Sequence, residues 1–577
     1  MTHAQGGFFL IKEPLIKGDA HQHTCAVREA LSIPDITALN HAQATRWRIN
    51  SFILDTQRKA FADQVPLPAI PIERSPLSAI PVDYMQWRET IRQGEKKFFS
   101  DEMWESFSDD ERTEIRQKLA KAHSEGAAFV SQVAAFTDRL AVAEELRNEA
   151  SVFMPHNKDF RGRIYPTITS GPHPQLDDAG RAVLHFSEGK RLGELGYYWL
   201  LVHAANSWGF DKASLNARAC WALDRRSKMI AASRDPFEDA WWREADAPWT
   251  FLATCHELAI AWQSEAPEDF VSHLPVSLDG TCNGLQHLSA MVLDPKGARA
   301  TNLSASETRN DIYVEVGRAF RTLYEKQVAD DEIKQASYHD RIDDERFLRD
   351  FVKRGVMTTP YGVTAKGLED QLLNSDCLSG EPAEKRKEAR EAARLLTDAL
   401  EEQMGPARVV MKWLGDVAEN LAKAELPFTW RTPLGSTIQQ AYRKPSINRV
   451  STLLGQLHLQ STDPTLSLNP KKQRAGASPN FIHSFDAAHM SMTVNLAYER
   501  GVRDFALVHD SFGTHAADVE ILARALRETF VQIYETDQLK ALALDVARFA
   551  PSVAIPDIPR RGTFDIHEVL KAPFFFS

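Results

Sequence analysis

A chain of 577 residues, 43% of them hydrophobic, is longer than one core can serve, so several subdomains are expected. A formal net charge of −11 argues against a uniformly basic nucleic-acid binder, yet leaves room for a local basic channel within an acidic exterior. The cysteines (Cys25, Cys220, Cys255, Cys282, Cys377) have no C-x-x-C spacing, no stretch is apolar for long enough to span a membrane, and the first 25 residues lack a signal-peptide core, so zinc, disulfides, membrane insertion, secretion and organelle import are not expected and a reducing cytoplasm is.

Residues 1–35 show no clear periodicity and read as an arm, and residues 36–150 as mostly helical. Within the latter, the prolines at 66, 68, 71, 76 and 81 mark an extended connector, and Ser100–Glu149 mixes charges and apolar residues at the spacing of a long amphipathic helix pair. Arg163–Pro166 reads as a strand, followed by a loop over Thr167–Asp178. In Leu274–Ala290 (LPVSLDGTCNGLQHLSA) an apolar strand ends in Asp279 and runs through glycines into a helix. In Arg349–Gly367, Arg349 and Lys353 lie four residues apart on one helical face, with Tyr361 and Gly362 just past the helix end at Pro360. Ser375–Ala393 starts as a loop and continues as a surface helix, and 442–480 reads as two basic, β-prone arms around a polar tip. Phe505–Thr514 (FALVHDSFGT) reads as a strand, a tight turn carrying His509 and Asp510, and a second strand. No internal repeat is present.

Two strand-end aspartates more than two hundred residues apart meet only through tertiary folding. Such a pair suits two-metal phosphoryl transfer, in which carboxylates hold Mg²⁺ ions roughly 3.5–4 Å apart. The competing reading makes Asp510 a turn cap. Arg349 and Lys353 suit a triphosphate, and Tyr361 a base or sugar. Here the alternatives are a solvated basic face and a salt bridge from Arg349 to Asp350 or Glu345.

These three segments, in this order, resemble motifs A, B and C of the single-subunit RNA polymerases of bacteriophages and mitochondria. Asp159–Tyr165 (DFRGRIY) is similar to that family's DWRGRVY-type segment, and Asn480–His489 (NFIHSFDAAH) to its histidine-bearing strand and helix before motif C. Ala38–Asn50 resembles an early core helix, and the final PFFFS the family's aromatic tail, so the likeness covers roughly residues 36–577.

The resemblance implies an α+β right-hand polymerase fold, mostly helical with a small antiparallel palm sheet. It places the helical remnant of the N-terminal region and thumb in 36–150, the palm in 151–280 and 481–577, and the fingers in 281–480, with a specificity hairpin at about 442–480. The implied activity is DNA-templated RNA synthesis with two Mg²⁺ ions, held by Asp279, Asp510 and the Gly280 carbonyl. An RNA 3′-hydroxyl attacks the α-phosphorus of a ribonucleoside triphosphate; Lys353 contacts the phosphates and protonates pyrophosphate, and Arg349 adds charge. Gly284 stands where family A DNA polymerases carry a glutamate that excludes a 2′-hydroxyl, and Tyr361 and His489 match the family's sugar-sensing tyrosine and histidine, with Gly362 beside them at the substrate. His489 equally suits a buried histidine hydrogen-bonded within the palm, a role compatible with the first. Tyr313 matches a tyrosine near the path by which nucleotides arrive.

Arg161 and Arg163 would contact the template or RNA backbone, and His509 would orient the metal ligand or meet the primer. The hairpin cations Arg443, Lys444, Arg449, Lys471, Lys472 and Arg474 would meet DNA in a groove. Phage members carry a substantial N-terminal domain where this chain has about 35 residues, which suggests a compact phage-type monomer in a bacterial cytoplasm. It would use an accessory initiation factor, start on melted DNA, or read a promoter with the hairpin alone. Primer synthesis for replication is the main alternative; a family A-like DNA polymerase and a silent DNA-binding regulator are less favoured.

Overall fold

The structure is a computed structural model that describes residues 5–7, 12–17, 31–72, 106–238, 240–330, 335–452, 455–461 and 465–577. Most of the 1–35 arm, the connector from 73 to 81, residues 100–105, Cys25, and positions 453–454 and 462–464 of the expected hairpin lie outside the described residues.

The described chain is mostly helical with small, mostly antiparallel sheets. Local cues account for many helix starts. α1 (Ile33–Gln43) begins at Ser32, whose hydroxyl accepts from the Asp35 amide, with Pro34 in its first turn. α2 (Ser51–Ala62) begins at Asn50, which caps the Ile53 amide. α3 (Asp109–Glu145) is a single 37-residue helix where a helix pair was expected, and no proline interrupts it.

β1 (His156–Asp159) and β2 (Ile164–Pro166) pair antiparallel, so Arg161 and Arg163 lie in the turn between them instead of on a strand. Gly162 takes φ 99 there, a conformation that glycine adopts at no steric cost. α4 (Gly193–Trp208) stops at left-handed Gly209, which delivers Asp211 and Lys212 beyond the helix end.

Asp279 closes β3 (Pro275–Asp279) ahead of α5 (Asn283–Met291). After α6 (Ile312–Ala329) comes α7 (Glu345–Thr358), capped by Asp344 and buried along Phe347, Leu348, Phe351, Val352 and Val356. That apolar stripe turns Lys353 and Arg354 outward. A 3₁₀ turn, Thr359–Tyr361, ends at left-handed Gly362. α8 (Pro382–Lys423) kinks at Met404, two residues before Pro406. Two hairpins follow: β4 (Phe428–Arg431) with β5 (Thr437–Gln440), and β6 (Ser446–Thr452) with β7 (Gly455–Ser461).

The second of the two expected basic arms is not a strand. Residues 470–480 open α9 (Pro470–Glu499), which starts at Asn469 with Pro470 in its first turn and also contains all of Asn480–His489, so no strand precedes the helix there. β8 (Ala506–Val508), β9 (Ser511–His515) and α10 (Val519–Tyr534) complete the frame.

β3, β9 and β8 form one antiparallel sheet in that order. Val276 and Leu278 are buried on one face of β3, so Asp279 falls on the other. Leu278 and Phe512 join Phe481 and Phe485 of α9, Phe530 of α10 and Phe575 in one continuous core. β1 and β2 belong to a separate sheet with Ile16–Lys17, so the motif A and motif C strands alone share the central sheet.

Candidate active site

The register of the central sheet brings the two aspartates together. Asp279 lies opposite Ser511, so Asp510, one residue before Ser511, is its diagonal neighbour across the strand pair. Burial pushes the Asp510 carboxyl up, and Asp279 adds to that push against the opposing pull of a backbone amide and Arg163. Two acids that repel each other across a short gap attract a cation. Among the described residues no group of three or more His, Cys, Asp or Glu is placed to hold a metal ion. A two-carboxylate site suits Mg²⁺, which takes few protein ligands and fills its shell with water and phosphate oxygens. Gly280 follows Asp279 and bridges to Phe576, and the Asp279 carbonyl accepts from the Ser577 amide at 3.3 Å.

His509 and Asp510 form the two-residue turn between β8 and β9. His509 takes φ 55, a strained position for a residue with a side chain. Its ring meets Tyr165 edge-on at 5.0 Å. Burial, with Arg163 adding, lowers its pKa to about 4, so it is neutral at pH 7.

Arg163 is not turned outward to meet a nucleic-acid backbone. Its Nε and Nη2 donate to the two Asp486 oxygens at 3.1 and 2.6 Å, and the pair is 12% and 3% exposed. Burial raises the Asp486 carboxyl to about 7 despite that partner, with Asp510 and Asp159 contributing. Arg161 is also engaged: Asp159 holds it, and its Nη1 lies 2.7 Å from His483 Nδ1.

Tyr361 packs against Gly284. A Cβ on Gly284 would sit 3.0 Å from Pro360 Cβ and 3.2 Å from the Tyr361 hydroxyl oxygen, so glycine is what lets the tyrosine approach α5. The histidine beside Tyr361 is His483, with ring centroids 4.6 Å apart. His489, expected at the sugar, is 1% exposed; its Nε2 is 2.9 Å from the Leu526 carbonyl, and its ring lies among Phe512, Phe530 and Phe576. It is the buried, hydrogen-bonded histidine of the alternative reading, and His483 is the histidine that lies beside Tyr361.

Arg349 donates from Nε to Asp311 at 2.9 Å and lies 3.6 Å from Asp350 and 5.2 Å over the Tyr313 ring. Glu345 pairs with Arg318 instead. Lys353, one turn along α7, is exposed and makes no ion pair among the described residues.

Residues not singled out in the sequence join this cluster. Lys212 pairs with Asp211 at 2.8 Å, and Arg309 reaches both Asp211 at 3.1 Å and the Thr281 hydroxyl at 3.4 Å, two residues from Asp279. Lys212 has its pKa lowered by burial and by Arg309. Arg309 carries the cue of standing four residues before Tyr313, and Lys212 only that of following a Gly stop.

The remaining cations are dispersed. Arg474 pairs with Asp416 and Glu419. Arg443 donates to the Leu466 carbonyl, while Lys444, Lys471 and Lys472 are exposed. Arg449 lies on β6 opposite His458.

A carboxylate pair at a strand-to-helix junction, flanked by clustered cations, is chemistry suited to a divalent cation and a polyphosphate. The sequence profile of DNA-dependent RNA polymerase matches residues 190–552, and the chain belongs to that family. It is 39% identical over 480 residues to DNA-directed RNA polymerase 2, chloroplastic/mitochondrial, of Nicotiana sylvestris, covering 81% of this chain and 46% of that protein. It is 34% identical over 596 residues to DNA-directed RNA polymerase 1, mitochondrial, of Arabidopsis thaliana, covering 99% and 57%. The chain thus spans about half the length of the relatives it matches. The POL domain of Pol1 from M. smegmatis, in complex with DNA primer-template and dNTP, is similar at a TM-score of 0.40 and 13% identity over 88% of this chain and 67% of that one, too remotely to bear on the site. Among the described residues no helix is long and apolar enough to cross a membrane.

Proposed function

We propose that this chain carries out DNA-templated RNA synthesis from ribonucleoside triphosphates, in a right-hand polymerase arrangement of palm, fingers and thumb. The observation that carries the reading is the β3–β9 register, which sets Asp279 beside Asp510. These two carboxylates, with the Gly280 carbonyl, would hold two Mg²⁺ ions. Bound there, the ions supply activation of the attacking hydroxyl and neutralisation of the leaving oxygen.

The chain's own groups do the rest. The RNA 3′-hydroxyl gives up its proton to solvent as its oxygen bonds to the α-phosphorus, the bond from that phosphorus to the bridging oxygen breaks, and pyrophosphate leaves. Lys353, which makes no ion pair among the described residues, gives a proton to the departing pyrophosphate, while Arg349, Lys212 and Arg309 hold the phosphates. Tyr361, Gly362 and His483 receive the ribose, and Tyr313 lies on the approach. Arg163 braces Asp486 beneath the site, and His509 holds the turn that presents Asp510. The exposed Lys444, Lys471 and Lys472, with the β6–β7 hairpin, offer a surface for template DNA. The enzyme acts as a monomer in a reducing cytoplasm, with an accessory factor to open promoters.

The test is extension of an RNA primer annealed to a DNA template with Mg²⁺ and either ribo- or deoxyribonucleotides. Extension preferring ribonucleotides is expected, and duplex, bubble and single-stranded templates then separate promoter transcription from priming. A primed template left unextended would overturn the reading. Gly284→Ala tests the sugar side. The added methyl must displace Pro360 or Tyr361, so kcat/KM for ribonucleotides should fall about tenfold, with a stability cost of about 1–3 kcal/mol, measured by single-nucleotide addition and thermal unfolding.

A further inference from the structure

The turn between β1 and β2 contains a chain of contacts that the chemistry above does not use. Asp159 Oδ1 accepts from the backbone amides of Arg161 at 2.9 Å and Arg163 at 3.1 Å, which closes the turn around left-handed Gly162. Asp159 Oδ2 accepts from Arg161 Nε at 2.9 Å and Nη2 at 2.6 Å, so the guanidinium is gripped from one side. Its third nitrogen, Nη1, lies 2.7 Å from His483 Nδ1. A guanidinium has donors only. Nδ1 must therefore accept, and the imidazole proton sits on Nε2. Burial, with Arg163 and Arg161 adding, pushes the His483 pKa down to about 2, so the ring stays neutral at working pH. No protein group among the described residues bonds to Nε2.

We propose that Arg161, oriented by Asp159, fixes His483 as the neutral Nε2–H tautomer, so that ribose selection depends on a side chain that does not itself touch the sugar. This inference rests on the polymerase reading, in which Tyr361 and His483 receive the incoming sugar. A preset Nε2–H donor pairs with a 2′-hydroxyl oxygen and is left unpaired by deoxyribose, an asymmetry that discriminates better than shape alone. Without Arg161 either ring nitrogen can carry the proton, and the donor is no longer preset. Arg161 is then a positioning residue, and Asp159 positions it in turn.

The test uses the full chain labelled with ¹⁵N-histidine, with His483→Gln identifying the signal, beside single-nucleotide addition of ribo- and deoxyribonucleotides. In the wild type the His483 nitrogens should report a proton on Nε2 and none on Nδ1. Arg161→Met should mix the two tautomers and reduce the ratio of ribo to deoxyribo kcat/KM by about tenfold. Arg161→Lys, which keeps a donor, should restore most of that ratio. A proton on Nδ1 in the wild type would overturn the proposal. So would a discrimination ratio unchanged in Arg161→Met, above all if that variant binds primer-template more weakly with a salt slope reduced by about one, the signature of a phosphate contact. Should Arg161→Met not fold, the wild-type spectrum and Arg161→Lys still decide. A wild type that extends nothing, or shows no ribose preference, sinks the polymerase reading, while the nitrogen spectrum separately judges the tautomer.

Discussion

Asp510→Asn or Asp279→Asn should lower the rate of nucleotide addition by about 10³-fold while primer-template binding stays close to wild type. The two residues share one task, so the double variant should be little worse than either single one. Stability separates loss of chemistry from loss of fold. The folded-state pKa of Asp510 is raised, so what this group contributes to stability is present in full below its unfolded pKa and lost as pH rises through the folded one. At neutral pH its ionised carboxylate therefore costs stability, and Asp510→Asn in metal-free buffer should melt no lower than wild type. Mg²⁺ should reverse the order, because a ligand that binds only the folded state stabilises it. Its addition should raise the wild-type melting temperature and leave that of the variant unchanged. A variant that keeps both its activity and its response to Mg²⁺ would remove Asp510 from the site.

The parts of the site that were legible in sequence are those carried by local pattern. A strand ending in Asp279 before a glycine-rich helix start, and a hairpin turn holding Asp510, are short-range signals, and the fold realises both as strands. Arg163 was misjudged because its partner Asp486 lies 323 residues away, and an arginine in a short loop looks like a surface charge until its counter-ion is placed. The two histidines divide their roles for a geometric reason. His483 and His489 are six residues apart on α9, a rotation of about 240°, so one faces Tyr361 while the other faces the core. A strand followed by a helix over that segment carries no such rotation. Asn469-Pro470 is a cap signal for the helix start, set within a stretch whose basic, β-prone composition points the other way.

Lys158→Met should destabilise the chain by about 3–5 kcal/mol, the cost of leaving a buried charge without its partner. Lys158 is 0% exposed and Asp35 7%. The ammonium bonds to Asp35 and, at 3.1 Å, to Ser491 of α9, while Ser436, next to β5, donates to Asp35. One ion pair thus ties α1, β1, the β4–β5 hairpin and α9 together. Burial alone would push the Asp35 carboxyl up, but Lys158, Ser436 and Ser491 outweigh it and hold its pKa below the usual 3.8. With a depressed folded pKa, the group contributes stability above 3.8 that is lost as pH falls through the folded value. In Lys158→Met burial acts with less opposition, the folded pKa moves up, and the sign reverses: relative to wild type the variant should lose more stability at pH 8 than at pH 5. Unfolding at the two pH values, with hydrogen exchange of the α1 amides as the local readout, checks both the size and the sign. Replacing both partners, Lys158→Met with Asp35→Leu, removes the stranded charge and should recover much of the loss. A single variant costing less than about 1 kcal/mol would put this pair in the class of exposed ion pairs, with solvent reaching Asp35 in the folded chain. Because Lys158 immediately precedes Asp159, the same variant should also loosen the turn that grips Arg161, coupling the most deeply buried ion pair among the described residues to the side chain proposed to set ribose selection.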